Sequence, residues 1–330
     1  MNSPFQIELA TGLGAYDSKK NGGQYAGLSV LTILIWEPSS YPKDKAPWII
    51  PSEYRESDAR THKIQKENGK YWLLTVDIDS GNIEFDVIKA AIVNLFGKDQ
   101  LARIYSTGSA AVDCRKWRVL IPLEIPLDAS CWQFWQSCLN TWLMDYGITP
   151  DRVLERCGQL VYLPNIPPTY RSEDGQPLFY QSELIGNDPL TESSSQTWAD
   201  WLLSQTAIAN EHANLVRGFR EERIKSPKKL MGESVIDEFN RSYSIDQLLR
   251  EYGYELSPNE HDWRSQNQTN KSYATRNHGE YWTSLSQSDT DVGLGRRCSS
   301  GTGCFGDAFD LFCFYEHGND HKKAIKELTS

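Results

Sequence analysis

YWLLTVDID, residues 71–79, is the stretch on which the fold turns. From Tyr71 to Val76 it is almost continuously apolar, and it closes on two carboxylates, Asp77 and Asp79. A strand with one wet face alternates apolar and polar residues, whereas a near-continuous apolar run reads as a strand buried on both faces. The stretch after it changes period. Over Asp86–Phe96, the residues Val87, Ile88, Ala91, Ile92 and Leu95 fall on one helical face, with Gly97 as the stop. Ala102–Ser106 and Arg118–Leu123 read as two further strands joined by a polar loop. Asp128 is placed to cap a helix that carries Trp132, Trp135, Leu139, Trp142 and Tyr146 at three-to-four spacing, ending at Gly147. Gln159–Leu163 is a short strand before Pro164. Strand, helix, two strands, helix, strand predicts a mixed α/β (α+β) sheet packed by helices.

The 330 residues suggest two domains. Residues 1–190 are dense in strand and helix patterns. Residues 191–232 change character: TESSSQ (191–196) leads to a helical stretch around Trp198–Leu203, then to a segment with Arg217, Arg220, Arg223, Lys225, Lys228 and Lys229. This reads as a helical connector with a basic face. Residues 233–330 read as a small α+β domain with an amphipathic helix through Phe309, Leu311, Phe312 and Tyr315. Lys and Arg total 34 against 44 Asp and Glu, a net charge of −10, which argues against a sequence-independent DNA coat but not against a local basic channel. No apolar run approaches the ~18 residues of a membrane helix. The N-terminus lacks a secretion pattern, and seven cysteines without one fit a reduced, cytoplasmic setting.

Asp77 and Asp79 stand at i and i+2 of a strand, so both side chains face the same way. Adjacent unpaired carboxylates repel, and a hard divalent cation, Mg²⁺ or Mn²⁺, removes that cost while bridging to phosphates. Two solvated aspartates at a strand end are the plain alternative, and a D-x-D also serves metal-dependent sugar transferases. Near the second and third strands lie Ser106, Thr107 and Ser109 around Gly108, and Arg118, whose fork suits a triphosphate. Gly108 lets that backbone approach a ligand. Arg55, Arg60, His62 and Lys63 form a basic cluster before the first strand, suited to template or triphosphate or to a solvated helix face.

The ordered blocks DID (77–79), YSTGSAAVDCRKWRVLIPL (105–123) and TPDRVLERCGQLVYLPN (149–165) resemble the archaeo-eukaryotic primase superfamily, and within it the primase–polymerases of bacterial mobile elements and prophages. The resemblance covers roughly residues 1–190. It implies an RRM-like catalytic core, Mg²⁺ or Mn²⁺ as cofactor, Asp77, Asp79 and Asp151 as metal-binding catalytic residues (Glu155 as the substitute for the third), and nucleotide contacts from Ser106, Ser109 and Arg118, to which the basic cluster adds Arg60 and His62. Partners implied are a single-stranded DNA template, NTPs or dNTPs, and a helicase on another chain or a missing region, since no Walker sequence is present. The family's second block ordinarily has a histidine where this chain has Ala110, which implies either phosphate binding by Ser109 and Arg118 alone or altered activity.

Residues 233–330 more weakly resemble the small domain that often follows this core. Cys298 and Cys304, with His261, His278 or His317, suggest a zinc-ribbon-like fold without its metal, because five residues separate the cysteines and no second pair exists. Trp263, Tyr273, Tyr281 and Trp282 among Arg264, Asn267, Lys271 and Arg276 suit single-strand stacking or a small core. The functions this leaves are a template-dependent nucleotidyltransferase, a replication-initiation module that binds single strands without synthesis, and a D-x-D sugar transferase.

Overall fold

The computed structural model describes residues 4–14, 23–225 (side chains to 210), 234–258, 261–268, 272–298 and 303–329. Lys228, Lys229, Lys271 and the side chains of Arg217, Arg220, Arg223 and Lys225 lie outside the described residues. The chain divides into two compact units, Met1–Gln205 and Thr206–Ser330.

Unit 1 contains β1 (Glu8–Leu13), β2 (Ala26–Ser29), α1 (Val30–Leu34), β3 (Pro47–Ile49), α2 (His62–Asn68), β4 (Lys70–Ile78), α3 (Phe85–Phe96), β5 (Ala102–Ser106), β6 (Trp117–Asp128), α4 (Ala129–Asp145), β7 (Val161–Tyr162) and β8 (Ser182–Ile185). Helix α5 (Gln196–Lys225) follows. Among the described residues, these strands form two sheets, β2-β1-β3-β7 and β4-β6-β5-β8. The registered pairs are antiparallel. The architecture is mixed α+β, with the second sheet in the middle.

One face of β4-β6-β5-β8 sends Leu74, Val76, Ile78, Ile104, Val119 and Ile121 into a core shared with α3 and α4. The other face sends Leu73, Tyr105 and Leu120 against Leu9, Ile49, Val161 and Leu163 of the first sheet and its flanks. Apolar cover on both sides is why 71–76 does not alternate. On α3 the buried set is Phe85, Ile88, Ala91, Ile92, Leu95 and Phe96, while Val87 is exposed, because the strip facing the sheet is centred between Ile88 and Ile92. The short strand at Val161 belongs to the first sheet, through β3, and not to the sheet of β4. The apolar run Leu28–Trp36 breaks into the end of β2 and helix α1, which Ser29 caps by accepting from the Thr32 amide. Trp198 of α5 is buried against Phe96 and Trp135, so the polar 191–196 text introduces a helix that packs into unit 1.

Strand β4 is a sheet edge, and its outward backbone groups are taken up by side chains and by a loop. Trp132 Nε1 donates to the Leu73 carbonyl (2.9 Å). Gln136 accepts from the Thr75 amide (2.9 Å) and donates to the Thr75 carbonyl (2.6 Å). The Asp151 amide donates to the Asp77 carbonyl (2.7 Å). A buried edge needs such partners, because each unpaired backbone group costs about 1–3 kcal/mol.

Unit 2 comprises α6 (Val235–Ser242), α7 (Ile245–Glu251), β9 (Glu255–Leu256), β10 (Asp262–Arg264), β11 (Thr275–Asn277), β12 (Trp282–Ser284), α8 (Gln287–Asp291), β13 (Arg296–Arg297), β14 (Cys304–Gly306), α9 (Ala308–His317) and α10 (His321–Thr329). Its sheet runs β13-β14-β12-β11-β10-β9. Trp263, Trp282 and Cys304 enter a core with Phe239, Leu248, Phe309 and Phe312. Trp263 and Trp282 are therefore core residues, while Tyr281 is exposed and stacks on His278 at 4.7 Å. Asp307 caps α9 in a reciprocal capping box with Asp310.

Gln136→Leu is expected to lower stability by roughly 2–4 kcal/mol, because both Thr75 backbone groups lose their partner. Gln136→Glu should fall between, since it keeps only the acceptor. Urea unfolding followed by tryptophan fluorescence checks this, and a Leu variant as stable as wild type would show that α4 does not secure the edge.

Candidate active site

The polar centre of unit 1 lies where β4 and β5 end and β6 begins. Asp77 pairs in register with Arg118, and Arg118 with Tyr105 of β5. Period-two alternation after the irregularity at Tyr71/Leu73 puts Asp77 and Asp79 on the face opposite Val76 and Ile78, toward the first sheet. Arg118 Nη2 donates to Asp77 Oδ2 at 2.5 Å, and Nη1 donates to the Tyr162 carbonyl at 2.7 Å. The Tyr105 hydroxyl donates to that same carbonyl at 2.7 Å. One residue beyond the Ile78–Trp117 pair, Lys116 Nζ lies 3.4 Å from Asp79 Oδ1. Asp77 near the end of β4 and Asp79 just past it thus face two cations of the neighbouring chain segment.

The two ion pairs differ in their surroundings. The side chains of Asp77 and Arg118 are 14% and 9% exposed, whereas those of Asp79 and Lys116 are 55% and 25% exposed. Burial pushes the Asp77 carboxyl above the usual range, Arg118 pulls it back, and the charges of Asp79 and Asp151 push it up again. Burial works against charge on Arg118 as well, but Asp77 and Tyr105 beside it together hold the guanidinium pKa above its ordinary value. Asp77 Oδ1 is buried and has no hydrogen-bond partner.

Asp151 comes to this place from a distant part of the sequence. Its amide is on the Asp77 carbonyl, and its Oδ1 caps the 3-10 turn Arg152–Glu155 by accepting from the Val153 amide at 3.0 Å. Glu155 has a different position. It is buried, bound by Arg152 (2.6 and 3.1 Å) and by Asn140 (2.9 Å), so its carboxylate is committed to the packing of α4 against this turn.

The remaining sequence-selected residues are distributed unevenly. Ser109 is half-buried in the turn after β5, a turn held by the Thr107 amide on the Lys116 carbonyl (3.0 Å). Ser106 is buried at the end of β5, where its hydroxyl accepts from the Gln181 amide at 3.1 Å. What approaches Gly108 is the chain itself: a Cβ there would stand 2.2 Å from the Asn165 carbonyl oxygen, so this glycine serves backbone packing and not close approach of a ligand. Ala110 is buried. Arg60 lies over the Trp48 ring at 5.6 Å, and His62 Nδ1 makes a short contact with the Cys157 carbonyl. Arg55 pairs with Glu8 at 3.0 Å, and Lys63 with Glu67 at 4.0 Å on the surface. Lys116 was not singled out by the sequence, although its place two residues before Arg118 puts both cations on the same strand face.

Among the described residues, no three His, Cys, Asp or Glu side chains are placed to enclose a metal ion between them. In unit 2 Cys304 is buried, His278 stacks on Tyr281 and His317 packs edge-on to Phe312. No helix among the described residues is long and apolar enough to cross a membrane.

No protein-family model and no curated protein matches the chain. Among solved structures, it is similar to the AEP domain of the primase–polymerase of cyanophage S-2L, with a TM-score of 0.32 and 13% identity over 49% of this chain and 70% of that one. At that distance the likeness assigns no activity.

Arg118→Met leaves Asp77 buried and unpaired, a change expected to cost about 3–5 kcal/mol. The loss should depend on pH. Without Arg118 the native pKa of Asp77 rises further above the unfolded value of about 3.9, so native protein holds the proton more tightly, and stability falls as pH rises through that window. The deficit measured by urea unfolding should therefore be smaller at pH 4.5 than at pH 8. An equal deficit at both would mean that the pair is not what Arg118 contributes.

Proposed function

We propose that unit 1 is a nucleotidyltransferase domain, and within that class a template-dependent primase–polymerase acting on single-stranded DNA with NTPs or dNTPs. The observation that carries this reading is the Asp151 amide on the Asp77 carbonyl, which brings the charge of Asp151 near Asp77, while Asp77 and Asp79 pair with Arg118 and Lys116. Phosphoryl-type transfer asks little covalent chemistry of a protein. It asks for positioning, and for charge of both signs around a triphosphate.

The carboxylates suit a hard divalent cation in chemistry. Asp77 Oδ1 is an unpartnered buried acceptor, and Asp79 is half exposed next to it. Mg²⁺ and Mn²⁺ sites of this kind take one or two carboxylates and complete the shell with water and substrate phosphates, so an enclosing group of three side chains is not required. Asp77 and Asp79 would hold the ion, with the charge of Asp151 nearby, and the ion would neutralise developing phosphate charge and lower the pKa of an attacking hydroxyl. Arg118, fixed by Asp77 and the Tyr162 carbonyl, offers a guanidinium whose orientation is set before substrate arrives. Ser109, half-buried in the turn that the Lys116 carbonyl anchors, would supply a hydroxyl donor to a phosphate. Holding a guanidinium still before binding is worth more than the same group on a mobile chain, since less conformational freedom is lost on association.

A second reading, a module that binds single strands without synthesis, draws on Ala110. It is a buried methyl where the family resemblance implies an imidazole, so no side chain there reaches a nucleotide.

A primer-synthesis assay with single-stranded template, labelled nucleotides and Mg²⁺ or Mn²⁺ tests the first reading. Asp79→Asn and Asp151→Asn should each reduce product about 100-fold or more, the scale at which charge-stabilising groups act, while leaving the melting temperature within a few degrees. Synthesis by an Asp77→Ala/Asp79→Ala double variant at the wild-type rate would exclude the site. Tight single-strand binding by a wild type that incorporates nothing under either metal would favour the second reading.

A further inference from the structure

Lys116 stands apart from the other cations of unit 1. Arg118 is buried and held twice, by Asp77 and by the Tyr162 carbonyl. Arg115, next in sequence, turns to the opposite side and pairs with Glu84 at 2.6 Å. Lys116 is a quarter exposed and reaches Asp79 at 3.4 Å, on a carboxylate that is itself more than half exposed. An ion pair of this kind is worth only about 0–1 kcal/mol, so it separates easily. The ammonium is a compact point charge on a four-carbon stem, able to move without disturbing the strand. The carbonyl of Lys116 accepts from the Thr107 amide, so the backbone that carries this lysine also anchors the Thr107–Ala110 turn. In that same turn, the Thr107 hydroxyl is buried without a hydrogen-bond partner.

We propose that Lys116 is a phosphate-binding residue for a nucleoside triphosphate, held by Asp79 while the site is empty and released when Asp79 is engaged by a divalent cation. The proposal rests on the nucleotidyltransferase reading and deepens it. Charge arithmetic supports the exchange. Asp77 and Asp79 are balanced by Arg118 and Lys116, and a triphosphate arriving without a cation must compete with Asp79 for the lysine. A triphosphate arriving with one supplies the replacement partner for Asp79, so its phosphates gain the lysine at little cost. Metal and triphosphate therefore bind with positive coupling, set by a single weak ion pair.

Equilibrium dialysis of the full chain with labelled dATP, with Mg²⁺ or with EDTA, tests this without recourse to turnover. With Mg²⁺, Lys116→Met should weaken dATP binding about tenfold and Lys116→Arg should restore most of it, as expected for one charge-assisted phosphate contact. Binding of deoxyadenosine should be unchanged in both variants. In EDTA, Asp79→Asn frees the lysine and should tighten dATP binding several-fold over wild type. That gain should vanish in Asp79→Asn/Lys116→Met. A gain of the same size in the double variant would show a general effect of removing negative charge, and would overturn the exchange. Wild-type affinity in Lys116→Met with Mg²⁺ would overturn the assignment of Lys116 alone. Failure of the wild type to bind any triphosphate would instead remove the nucleotidyltransferase reading beneath it. Thermal unfolding of each variant, expected to stay close to wild type because the pair with the half-exposed Asp79 contributes little, separates lost binding from lost fold.

Discussion

The outward edge of β4 is the constraint from which unit 1 is built. An edge strand that is buried cannot leave its amides and carbonyls to water. Here Trp132 and Gln136 of α4 serve Leu73 and Thr75, and the Asp151 amide serves Asp77. The same row of backbone bonds that anchors α4 also delivers Asp151 to the carboxylates. Structure and candidate chemistry share one device: the segment after α4 is brought to the β4 edge by a hydrogen bond that the fold requires in any case.

The polar face at the strand ends follows from strand parity. Side chains of β4 alternate between a helix-covered core and the first sheet, and the two aspartates fall on the sheet side as the strand leaves the apolar interior. A buried carboxylate there needs a cation, and antiparallel register supplies Arg118 directly across from Asp77. The second pair, Asp79 with Lys116, lies one step further toward solvent and is correspondingly looser. A gradient from a fixed buried pair to a separable exposed pair, over two residues of each strand, is what an anionic ligand would meet.

Much of unit 1 was legible from patterns. The strands read at 71–79, 102–106 and 118–123, the helix capped by Asp128 and most of the buried face of α3 follow from apolar period and cap chemistry. Val87 was misread because a helical face drawn from sequence has uncertain width, and only the neighbouring sheet decides where it ends. The partnership of β7 with β3 was not legible, since a two-residue strand carries no period to say which sheet it joins. The aromatic residues of unit 2 show the same limit. Trp263 and Trp282 look alike in sequence to Tyr281, yet alternation along short strands buries the first two and exposes the third. Gly108 was read as room for a ligand, and the structure fills that room with the Asn165 carbonyl.

Sequence alone determined the class of the fold and the residue types at its polar centre, because apolar periodicity and a D-x-D at a strand end depend only on local chain geometry. Tertiary structure decided which of the candidates meet. It set Asp151 beside Asp77, locked Glu155 into packing, engaged Ser106 and His62 with backbone groups of the fold, and brought forward Lys116. The physical reason is that register and edge satisfaction are long-range: they depend on which backbone groups remain unpaired once the sheets have formed, and no local pattern records that.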